Sequence, residues 1–88
     1  MDRVVIVGKT YKHFKGHIYK VIAIGYNSES YDENSPDLSK MVVYQDINDE
    51  SNCWIRPYDM FNSLVDHQKY PEIPQKYRFE EINDKTTN

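Results

Sequence analysis

His17-Ile18-Tyr19-Lys20-Val21-Ile22-Ala23-Ile24-Gly25-Tyr26 decides the fold of this chain. β-Branched and aromatic residues dominate it, and apolar side chains fall at both parities of a period-two pattern. Ile18, Ile22 and Ile24 share one face; Tyr19, Val21 and Ala23 share the other. A strand that is apolar on both sides is central or strongly curved, as in a small barrel. Gly25 near its end marks a bend.

Other segments extend the β pattern outward from this strand. Val4 to Val7 is a short β-branched run ended by Gly8, which predicts a strand. Lys9 to Lys15 is basic and aromatic, and Gly16 ends it. Met41 to Ile47 and Cys53 to Arg56 flank the polar turn Asn48 to Asn52 and read as a hairpin. Pro57 cannot continue a central strand but suits the start of a helix, so Tyr58 to Asn62 is a short helical turn. Phe61 to Val65 is a candidate brief strand, and Tyr77 to Ile82 a final edge strand. Asn27 to Lys40 is a long acidic loop without periodicity, and the Pro-containing segment His67 to Gln75 is an irregular connection. The expected fold is mainly β: a small SH3-like barrel or a strongly bent antiparallel sheet of five to six strands with one short helical turn. Residues 1–82 form one domain and residues 83–88 a polar tail.

Composition limits the functions available. An 88-residue domain buries little of its surface, so its eight tyrosines, three phenylalanines and one tryptophan must supply much of the stability. A fully buried ring is worth about 4–6 kcal/mol at most. Cys53 is the sole cysteine, which excludes an internal disulfide and a Cys-based zinc site. No leader-like apolar region opens the sequence, and no apolar run is long enough to span a membrane. The expectation is a soluble, cytoplasmic protein without membrane contact. The net charge is −3. Residues 1–20 carry Arg3, Lys9, Lys12, Lys15 and Lys20 against Asp2. Residues 28–50 carry Glu29, Asp32, Glu33, Asp37, Asp46, Asp49 and Glu50 against Lys40. An acidic whole disfavours nucleic acid, while the local basic segment leaves room for a small anion.

Trp54-Ile55-Arg56-Pro57 carries the chemistry. Residues two apart on a strand share a face, so the indole and the guanidinium point the same way. A flat aromatic surface beside a planar cation suits bases, phosphates and carboxylates. Trp54 has two readings, core residue or pocket wall. Arg56 also has two, partner of an acid or cradle for a ligand. Tyr11, His13, Lys15, Tyr44 and Arg78 complete the candidate ligand-binding set. His13 beside Lys15 suits an anion, and nearby cations lower its pKa. The three histidines match no zinc spacing, and nucleophile-elbow, P-loop and dinucleotide-binding signatures are missing. The reading is a non-enzyme without cofactor or metal.

Tyr11-Lys12-His13-Phe14-Lys15-Gly16, Val42-Val43-Tyr44, Trp54-Ile55-Arg56-Pro57 with Met60-Phe61, and Arg78-Phe79 occur in that order. In this the chain resembles a family of small bacterial and phage proteins catalogued as a domain of unknown function (number 1653), over roughly residues 11–79. The family often has a His before Ser-Glu after the second strand; here Asn27 precedes Ser28 and Glu29. The Ser30 to Lys40 stretch is also longer than the family pattern. The resemblance implies a compact β fold and no reaction.

The functional expectation is non-catalytic binding and sequestration of a small anionic, nucleotide-derived ligand. Composition rich in Lys, Asn, Asp and Tyr is compatible with a phage origin, in which such a protein would absorb a host immune signal as an anti-defence device. The alternative is an SH3-like protein-interaction module that binds a peptide or partner protein. RNA or single-stranded DNA binding through residues 9–20, and an enzyme assembled only in an oligomer, are weaker readings. The small size also suits a homo-oligomer joined through Tyr70 to Tyr77 or an edge strand.

Overall fold

A computed structural model describes residues 3–82; the polar tail lies outside the described residues. Five strands form one antiparallel sheet: β1 (Thr10–His13), β2 (Ile18–Tyr26), β3 (Lys40–Asp46), β4 (Trp54–Pro57) and β5 (Phe79–Glu81). Their spatial order is β4-β3-β2-β1-β5, a four-strand meander whose first strand also takes the last. A 3₁₀ turn (Pro36–Ser39) precedes β3 and the helical turn α1 (Tyr58–Phe61) follows β4. No described helix is long and apolar enough to cross a membrane.

The sheet is unclosed but curls far enough to bring its edges together. In a flat sheet β3 and β5 would lie three strand spacings apart, about 14 Å. Instead the rings of Tyr44 on β3 and Phe79 on β5 are 5.2 Å apart. From edge strand β4, the Arg56 Cζ lies 5.8 Å from the same Phe79 ring. Between β2 and β3 the register shifts between Val21 and Ala23. A bulge of this kind bends the strand and increases its twist. It also corrects the simple parity reading of β2. After the shift Ile24 faces Val42 and packs on the core with Val21, instead of pointing away from it.

Tyr11, Val21, Val42, Tyr44 and Phe79 fill the concave face, joined by Phe61 from α1 and by Val5. Phe61 and Phe79 stack with centroids 4.0 Å apart, and Tyr11 and Tyr44 meet Phe61 edge-on. Pro57 ends β4 in extended backbone and α1 begins at the next residue, as its fixed φ allows.

Val4 to Val7 is not a strand. The Val5 amide donates to the Tyr58 hydroxyl at 2.9 Å, and the Ile6 amide to the Tyr11 hydroxyl at 2.9 Å. Two side chains thus take the donors that a neighbouring strand would have paired, and Gly8 at φ 93° turns the chain toward β1. The basic segment conceals β1: Tyr11 points into the core while Lys12, the residue after it, is exposed. Phe61 to Val65 contributes an isolated bridge, Leu64 with Tyr77, rather than a full strand.

Candidate functional site

The turn between β1 and β2 contains the first half of the site. Gly16 supplies the positive φ (111°) that the turn requires. His13 faces inward at the end of β1, stacked on Phe14 with centroids 4.5 Å apart and edge-on to Phe79. Its Nδ1 accepts the Lys15 amide at 3.0 Å. That contact fixes the neutral tautomer with its proton on Nε2.

Arg56 arrives from edge strand β4 and Arg78 from the bend just before the opposite edge strand β5, and one hydroxyl orients each. Arg56 Nε donates to the Tyr44 hydroxyl at 3.1 Å, and Arg78 Nε donates to Ser63 Oγ at 3.1 Å. Among the described residues no protein acceptor takes the Nη groups of either. The Arg78 backbone is itself clamped, donating to the Ser63 carbonyl and accepting from the Phe14 amide.

The segment between Val65 and Gln75 closes the third side. Asp66 Oδ1 accepts the amides of Gln68 and Lys69, and its carbonyl accepts the Tyr70 amide. Gln75 Nε2 ties the segment to β1 by donating to the Lys12 carbonyl at 2.9 Å. Tyr70 packs against Phe14 at 5.0 Å. The ammonium groups of Lys15 and Lys69 lie 5.6 and 5.5 Å from the Tyr70 ring.

These groups surround a cavity of about 300 Å³. Lys15, Arg56, Lys69 and Arg78 line it against one carboxylate, Asp66. The ion pairs found among the described residues, His17 with Asp46 and Lys40 with Asp37, leave all four cations unpaired. Burial, then the charges of Arg56, Arg78 and Lys15, push the His13 pKa down to about 4. The arrangement can bind an anion through guanidinium forks, ammonium groups and a neutral imidazole N–H.

The structure therefore brings His13, Lys15, Arg56 and Arg78 together and separates the other three candidates. Tyr11 is 2% exposed and Tyr44 4%, so neither presents a stacking face. Tyr44 acts through its hydroxyl on Arg56. Trp54 pairs with Tyr44 on the same sheet face as Arg56, yet remains 51% exposed and outside the cavity lining. Sequence reasoning missed Phe14, Lys69 and Tyr70 as site residues. Phe14 and Tyr70 carry no spacing signal, and only Lys69 beside an aromatic residue hinted at a basic-aromatic pair.

A larger cavity, about 590 Å³, is lined by Arg3, Asp37, Lys40, Tyr58, Asp59 and neighbours, and shares no residue with the first. Its charges nearly balance, Arg3, Lys40 and Lys76 facing Asp37 and Asp59, although Arg3 Nη1 is buried without a partner among the described residues. Lys40 pairs with Asp37 at 4.0 Å, and Arg3 donates to the Phe79 carbonyl and lies 3.8 Å over Tyr77. Size alone does not make it the better anion site. No group of three or more His, Cys, Asp and Glu residues suited to a metal occurs among the described residues.

The family profile described as "Protein of unknown function (DUF1653)" matches residues 9–81. No curated protein and no solved structure matches the chain.

Proposed function

The chain belongs to the DUF1653 family, and from that premise we propose that it binds and holds a small anionic, nucleotide-derived ligand without turning it over. The observation that carries this reading is the convergence of two hydroxyl-oriented guanidiniums with free Nη groups on one concave surface. Preorganised charge-assisted donors give affinity because little side-chain entropy is lost on binding. Trp54, half-exposed on the face of Arg56, offers a flat surface for a ring attached to the anion. A cytoplasmic phage protein absorbing a host immune signal is one setting that suits such a trap. No pair of groups here resembles a nucleophile with its base.

Native mass spectrometry of protein purified from its host tests the reading directly, by a retained small molecule. Nucleotides should also raise the melting temperature and quench Trp54 fluorescence. Arg56→Ala should weaken binding roughly tenfold to a hundredfold, the loss of a charge-assisted hydrogen bond worth about 1.5–3 kcal/mol. If no nucleotide shifts the melting temperature and Arg56→Ala changes nothing, the reading is wrong.

The peptide-binding alternative draws less support. Tyr11 and Tyr44, two of the rings that would line a proline-rich groove, are buried.

A further inference from the structure

The rings that line the proposed site are packed on one another. Phe14 is stacked on His13, and the ring of Tyr70 is packed by Phe14 and approached by the ammonium groups of Lys15 and Lys69. The aromatic groups thus position cations and imidazole, and no two of them stand parallel with the gap that would sandwich a base. Charge is the opposite case. Four cationic side chains line about 300 Å³, and the one carboxylate there already caps the Gln68 and Lys69 amides. Such a cavity discriminates by charge density. A phosphodiester brings one negative charge and two substituents; a phosphomonoester brings up to two charges and one substituent.

We propose that the cavity takes a terminal phosphoryl group, the dianion of a phosphomonoester, while the group it esterifies stays outside. The two Nη edges of Arg56 and Arg78 grip its oxygens, Lys15 and Lys69 neutralise the second charge, and His13 Nε2 donates. This rests on the anion-binding reading above and narrows it to one ligand class.

The test is an amide-shift titration of the intact protein with adenosine 5′-monophosphate, a dinucleoside phosphate diester, adenosine and inorganic pyrophosphate, each at pH 7 and pH 5. The groups facing the ligand are His13 and Lys15 from β1 and its turn, Arg56 from β4, Asp66, Lys69 and Tyr70 from the closing segment, and Arg78 before β5. The diester, which does not titrate in this window, reports any change in them. The monoester should move the amides of Lys15, Lys69 and Arg78. Its affinity should fall about tenfold from pH 7 to pH 5, as the second phosphate proton is taken up near pH 6. The diester should bind at least about tenfold more weakly and adenosine should leave the cavity unmoved. Exposed Lys69→Ala, which keeps the fold, should weaken the monoester several-fold. A diester or nucleoside that binds as well as the monoester, or a monoester affinity indifferent to pH, overturns this inference and leaves anion binding standing. If no phosphate compound, pyrophosphate included, perturbs the cavity, the anion-binding reading itself is overturned.

Discussion

Arg56 and Arg78 reach the cavity by one device: a hydroxyl takes Nε and leaves the Nη groups outward. Removing the hydroxyl while keeping the ring separates positioning from charge. Tyr44→Phe should cost about 0.5–1.5 kcal/mol in denaturant unfolding, one part-buried hydrogen bond, and should also weaken anion affinity although no charge is lost. His13 supplies a second check. Its pKa is lowered to about 4, chiefly by burial and then by Arg56, Arg78 and Lys15. The unfolded chain takes up this proton near pH 6.5 and the folded chain does not. The stability that His13 contributes is therefore complete above about pH 6.5 and is lost as pH falls toward 4. An NMR titration should place the ring near pH 4, and an anion in the cavity should move it upward. A His13 titrating at its ordinary value in the free protein would contradict the buried, cation-flanked geometry.

Turns set the geometry of the elements, and Gly16 and Gly25 isolate the reason. A Cβ at either would meet nothing within 4 Å, but only Gly16 has a positive φ, 111°. Gly16→Ala should destabilise by about 1–2 kcal/mol through backbone strain alone, while Gly25→Ala should do far less. Equal melting temperatures for the two variants would remove this account of the β1–β2 turn. Since Gly16 also ends the His13-Phe14-Lys15 turn, its substitution should disturb the cationic cavity. Legibility from sequence followed the same divide. β2, β3, β4 and α1 were readable because alternation, a polar turn and Pro57 are local signals. β1 was not, since lysines mask its alternation. Val4 to Val7 misled, because β-branched residues report extended backbone and not whether a neighbour pairs with it. Residue type singles out His13, Lys15, Arg56 and Arg78, which the fold brings to one cavity. Tyr11 and Tyr44 lie in the core, and sequence cannot tell that placement from a pocket because a tyrosine looks the same in both. Lys69 and Tyr70 join the site only through the folding of the Asp66–Gln75 segment.

At the scale of the whole molecule, core and site are one construction. Phe79 touches Tyr44, Phe61 and His13 and lies under Arg56, so the ring that holds the curl also backs two of the residues that line the cationic cavity. Phe61 is equally buried, but its ring contacts are Tyr11, Tyr44 and Phe79, and none is a residue of the cavity lining. Each Phe→Ala change should cost about 3–5 kcal/mol by cavity formation. That is a large share of the roughly 5–15 kcal/mol typical of a domain, and this one is small. Phe→Leu, which keeps most of the volume, separates the two roles. Phe61→Leu should lower the melting temperature while anion affinity holds. Phe79→Leu should lower both, because His13 and Arg56 lose the surface against which they are set. Loss of affinity in the two variants in equal proportion would mean that the site follows global stability alone. Loss confined to Phe79→Leu would mean that the curl of the sheet, by setting Arg56 of β4 and His13 of β1 on one ring of β5, is what assembles the cationic cavity from segments far apart in the sequence.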